Sequence, residues 1–224
     1  MKLFDSRPFK SEFIRNVLTL VSGTTFAQAL PILISPILSR IYTPENFGVF
    51  ALYTSMVTIF VVIATGQYHI AVMLPKSDRT SVNILMISTL LAAGFFILLT
   101  PVTIIFKDEL ADFFKESQFA YWIFYFPAGM LLLGLFRAFT YWFGRYKKYR
   151  FVAMGTVGLA FVTSGMNLVF GFGGYGTGGL VYSHLFGLAT AVIIFSFLII
   201  LEVLKGFYHL ILQSLIIFTI KLQV

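Results

Sequence analysis

The feature that most constrains this chain is a succession of uncharged apolar runs separated by short clusters that hold almost all of its charge. Residues 16–39, 46–75, 80–106 and 117–136 each lack Asp, Glu, Lys and Arg. A helix needs about 20 predominantly apolar residues to cross the hydrocarbon core of a bilayer. Residues 151–201 form a fifth uncharged run, too long for one crossing, and its middle reads Gly171, Phe172, Gly173, Gly174, Tyr175, Gly176, Thr177, Gly178, Gly179. Such a glycine cluster favours a chain reversal over continued helix. The reading is therefore six spans in an all-α integral membrane bundle, occupying residues 1–205 and followed by an atypical apolar tail at 206–224.

Composition points the same way: 58% hydrophobic residues against 11% charged is far from the balance of a water-soluble domain. The absence of cysteine excludes disulfides, thiolate catalysis and cysteine-ligated metal. The basic N-terminus followed by an apolar run is expected to be an uncleaved first helix rather than a signal peptide, because the run exceeds a typical h-region and lacks an obvious small-residue cleavage site before Arg40.

Basic loops are retained on the cytoplasmic side of a membrane. Lys2, Arg7, Lys10 and Arg15, then Lys76 and Arg79, then Arg145, Lys147, Lys148 and Arg150, then Lys205 fall on one side of a six-span reading. The other side holds only Arg40, Lys107 and Lys115, with Asp108, Glu109, Asp112 and Glu116. The N-terminus is accordingly expected in the cytoplasm. The net charge of +7 follows from this topology and from attraction to anionic lipid headgroups, and gives no reason to expect nucleic-acid binding.

Several side chains are unusual for plain membrane anchors. The first run contains Pro31 and Pro36, which disfavour a straight helix, and Ser22, Thr25, Gln28, Ser35 and Ser39 recur at roughly helical spacing. Such a stripe suits either interhelical hydrogen bonding or the lining of a polar pathway. Gln67, His69, Asn167 and His184 invite the same two readings. Arg137 is the sharpest single residue, since a charge inside a span points toward protein or water, or snorkels to the interface. Tyr141 and Arg145 follow it at four-residue steps on one helical face, a track whose guanidinium groups suit a lipid diphosphate. No carboxylate lies within a span, so no ion-coupling site is evident; three isolated histidines make no metal site, no cofactor is expected, and the sequence carries no catalytic signature.

The join between the first two runs reads Ser39, Arg40, Ile41, Tyr42, Thr43, Pro44, Glu45, Asn46, Phe47, Gly48. Pro44 fits the start of a helix and Gly48 is expected to permit close helix approach. This segment resembles the signature of the polysaccharide biosynthesis or O-antigen flippase family, within the multidrug/oligosaccharidyl-lipid/polysaccharide exporter superfamily, through Arg40, Tyr42, Pro44, Glu45, Phe47 and Gly48. Residues 68–76, 145–150 and 176–180 resemble later family elements in the same order. The resemblance covers approximately residues 12–202 and implies a bacterial inner-membrane protein that moves an undecaprenyl-diphosphate-linked oligosaccharide between leaflets. Family members form two helical lobes around a central cavity, and this chain has the length of the first. A truncated or frame-shifted half-transporter is therefore expected, working with a partner such as a second copy or a polysaccharide polymerase or assembly protein. Arg137, Tyr141, Arg145, Gln28, Gln67 and His69 are the candidate substrate contacts. The alternatives are a multidrug or toxin exporter and a non-transporting scaffold for polysaccharide assembly; an enzyme is not expected.

Overall fold

Helix boundaries follow local chemistry. The computed structural model describes residues 7–106, 109 and 119–221, with side chains described at Ile14, 17–106, 109 and 121–202. Six long helices carry the fold: α1 (Arg7–Ile41), α2 (Pro44–Thr65), α3 (Asp78–Ile105), α4 (Phe126–Arg145), α5 (Tyr149–Phe172) and α6 (Thr177–Lys221). All six contain a stretch long and apolar enough to cross a membrane, and no strand occurs among the described residues, so the chain is an all-α membrane bundle. The acidic segment at 107–118 falls almost wholly outside the described residues.

Pro44 occupies the first turn of α2, where its missing N–H costs nothing. Ahead of it, the Asn46 N–H donates to Thr43 Oγ1 at 3.3 Å and the Thr43 N–H donates to Asn46 Oδ1 at 3.1 Å, a reciprocal cap. The helix stops at Gly66, whose φ of 50° is left-handed, and Gln67 follows at φ 56° before a helical turn at Tyr68–Ala71. The predicted reversal between α5 and α6 is present, with Gly174 at φ 73° and Gly176 at φ 52°, conformations that side chains with a Cβ rarely adopt.

Helix α1 runs unbroken through both of its prolines. At Pro36 the reason is visible: the Ile32 carbonyl, deprived of its usual donor four residues on, accepts from Ser35 Oγ at 2.9 Å. Helix α6 likewise continues through the segment read as a separate tail, reaching Lys221 without a break.

Packing places α5 between α1 and α6, while α4 touches α2, α3 and α6. Val49, Tyr53, Val57 and Val61 recur every fourth residue and form the buried stripe of α2; the first three meet Ile123, Phe126 and Val181, and Val61 meets Met130. A second core joins Phe143 of α4, Val152 of α5, and Phe195 and Leu198 of α6. Tyr42 ties the far end together. Only 3% exposed, it donates from its hydroxyl to the Asn167 carbonyl at 2.8 Å and packs with Leu38 and Leu180. Gly179 makes room for it, since a Cβ there would lie 2.6 Å from the Tyr42 hydroxyl. Asn46 adds a second tie, its side-chain N–H donating to Thr177 Oγ1 at 3.1 Å. Gly48, by contrast, faces open space with no atom within 4 Å of a Cβ, so the close approach expected there occurs instead at Gly179.

Candidate functional site

Three of the sequence-singled residues converge where α2 ends against α4. His69 is 3% exposed, and its ring centroid lies 5.3 Å from that of Tyr141. Thr65 donates to the Val61 carbonyl at 2.7 Å, which uses its single proton. The 3.3 Å contact between Thr65 Oγ1 and His69 Nδ1 is then a hydrogen bond only if Nδ1 carries the proton, leaving Nε2 as the acceptor of the neutral ring. Burial pushes the His69 pKa below its ordinary 6.5, and the positive charge of Arg137 lowers it further. Arg137 therefore stands beside a histidine held neutral, and no acidic side chain pairs with it among the described residues.

Arg145 has a different position. Its Nη1 donates to the carbonyls of Pro75 at 2.6 Å and Val72 at 3.3 Å, and its Nη2 donates to Asp78 Oδ1 at 3.1 Å. The expected cationic track along α4 is thus divided: Arg137 is unpaired, whereas Arg145 clamps the loop between α2 and α3. Asp78 also affects Tyr146, whose hydroxyl pKa is raised first by burial and then by its hydrogen bond to that carboxylate. Asp78 was not among the residues singled out from sequence; its place beside the Ser77 cap, at the mouth of α3, is the local signal that marks it.

Gln67 and Gln28 do not join this cluster. Gln67 is exposed at its left-handed turn, and Gln28 is exposed on α1, which packs chiefly on α5. Indeed the whole stripe of Ser22, Thr25, Gln28, Ser35 and Ser39 is exposed. Ser22, Ser35 and Ser39 satisfy their hydroxyls on α1 carbonyls at 3.2, 2.9 and 3.0 Å. Gln28 has no hydrogen-bond partner among the described residues.

The signature around Pro44 divides between architecture and surface. Tyr42 and Pro44 hold the fold as described, Phe47 sets its ring edge-on to Tyr42 at 6.0 Å, and Arg40, Glu45 and Gly48 are exposed. Asn167 and His184 lie inside the bundle. Asn167 Oδ1 and His184 Nδ1 are buried without hydrogen-bond partners among the described residues, and the His184 ring stands 6.0 Å from that of Tyr53. No group of three or more His, Asp or Glu side chains suited to a metal occurs among the described residues. Compared with protein-family models, curated proteins and solved structures, the chain matches none.

Proposed function

We propose that this chain is one lobe of a transporter that moves an undecaprenyl-diphosphate-linked oligosaccharide across the bacterial inner membrane, with its N-terminus in the cytoplasm, during O-antigen, capsule or exopolysaccharide synthesis. The observation that carries this reading is the uncovered polar face of α1. A span whose outer face bears Thr25, Gln28, Ser35 and Ser39 is poorly matched to lipid, because an amide such as that of Gln28, without a hydrogen-bond partner in hydrocarbon, costs several kcal/mol. That face is suited to a water-filled cavity closed by a second lobe, supplied by another chain or a second copy. The flippase-like segment from Arg40 to Gly48 supports the substrate class, and Arg137, an unpaired cation at the edge of the α2–α4 junction, is chemically suited to a diphosphate.

The test is expression in a host that lacks its own flippase for the matching sugar, alone and together with the second lobe of a full-length relative. Surface polysaccharide restored by either arrangement supports the reading. No restoration beside verified membrane insertion and rescue by the full-length relative contradicts it.

A further inference from the structure

A groove of about 590 Å³ runs between α1, α5 and Ile194 of α6, with no residue of α2 or α4 in its lining. Thr19, Ser22 and Arg150 lie toward one end, and its wall continues through Met154 and Val157 to Phe161. The two helices run parallel here: Gly23 sits against Ala153, while Tyr42 further on meets the Asn167 carbonyl. The groove is thus polar at the start of α5 and apolar along the rest, the shape of an amphiphile. Eleven residues separate Arg150 from Phe161, about 16 Å at the helical rise, close to the ~15 Å depth of one leaflet's hydrocarbon.

The Arg150 charge at the polar end has no counterion among the described residues. Neighbouring cations are engaged, Arg145 by Asp78 and two carbonyls and Lys148 by Glu202. Arg150 is exposed and has no acidic partner among the described residues, and Lys147 beside it is also exposed. Both stand at the N-terminal end of α5, whose first turn holds no acidic residue and whose cap position makes no side-chain hydrogen bond. The positive end of a helix dipole is ordinarily balanced by an anion, and here it is flanked by cations instead.

We infer that this groove is a seat for one anionic phospholipid, with its phosphate on the Arg150 guanidinium and one acyl chain laid over Met154 and Val157 toward Phe161. Met154 and Phe161 are 46% and 66% exposed, so the groove offers an open apolar wall against which one acyl chain can lie. The seat does not depend on the transport reading, and its test is made on purified protein without reference to transport.

The experiment is native mass spectrometry of the full chain released from mixed micelles containing equal phosphatidylglycerol and phosphatidylcholine. One phosphatidylglycerol should be retained in preference. Arg150→Gln should weaken that retention about tenfold, the loss expected for one charge-assisted contact. Met154→Trp, which fills the open groove and leaves the charge intact, should weaken it comparably, while Arg79→Gln, at an exposed arginine outside the groove, should not. A fluorophore on Phe161→Cys, in a chain with no other cysteine, should be quenched by phosphatidylglycerol carrying brominated chains and released from quenching by Arg150→Gln. Equal retention of the two lipids, equal loss from Arg79→Gln, or an unquenched fluorophore would overturn the seat. Tighter Arg150-dependent retention of a polyprenyl diphosphate would overturn the phospholipid as its occupant.

Discussion

Arg145, at the end of α4, donates to the backbone carbonyl of Pro75 at 2.6 Å, and so closes the loop that joins α2 to α3. The same guanidinium reaches Val72 and Asp78, and the Arg145 side chain is only 11% exposed. A residue read from sequence as half of a substrate track is in the folded chain a fastener between distant segments.

Replacing Arg145 by alanine removes charge-assisted bonds from carbonyls that have no other donor in view. We expect a loss of about 2–4 kcal/mol in unfolding free energy, read by denaturant unfolding in detergent micelles. Asp78→Asn should cost less than about 1 kcal/mol, because the Asp78 side chain is 70% exposed and water screens that arm of the contact.

Tyr42 offers a steric test of the other end. Gly179→Ala should destabilise more than Tyr42→Phe, because the new Cβ would meet the Tyr42 hydroxyl at 2.6 Å, whereas phenylalanine loses one hydrogen bond worth about 1 kcal/mol. The double variant Gly179→Ala with Tyr42→Phe should recover part of the loss, since the clashing oxygen is gone. The same unfolding measurement ranks all three.

The histidine at the α2–α4 junction gives a pH dependence of defined sign. With the folded pKa of His69 below 6.5, the unfolded chain binds its proton first as pH falls. The stability contributed by neutral His69 is therefore complete above about pH 6.5 and declines as the pH is lowered toward the folded value. Arg137→Gln should raise the folded pKa while leaving it below 6.5, because burial is the larger cause. Histidine ring resonances followed by NMR would show both; a His69 pKa unmoved by Arg137→Gln would refute the electrostatic link.

Topology can be checked with single cysteines introduced beside Lys147 and Lys115. Alternating basic loops predict labelling from opposite faces of the membrane, with Lys147 on the cytoplasmic side. Labelling from one face would remove the six-span orientation.

The spans themselves were legible because an uncharged run of bilayer length has one economical solution. The boundary at Pro44 and the reversal at Gly174 and Gly176 were legible for a related reason, since each depends on a backbone property of a single residue. Partners were not. Arg145 meets Pro75 and Asp78 across 70 and 67 residues, and Tyr42 meets Asn167 across 125, separations that helical periodicity does not encode. The same limit explains Gly48: composition marks a small residue, but only the packing of α5 and α6 on Tyr42 decides which glycine is used. Gln28 was legible as polar, and its exposure emerged once α1 was seen to pack chiefly on α5.

If α1 borders a transport cavity, its polar face meets water rather than lipid, and the cysteine-free chain allows a direct test. Single cysteines at Thr25 and Gln28, compared with one at the lipid-suited and exposed Ile193, would be treated in native membranes with a charged thiol reagent. Thr25→Cys and Gln28→Cys should react while Ile193→Cys does not. Unreactive cysteines at Thr25 and Gln28, in variants that label fully after denaturation, would contradict it.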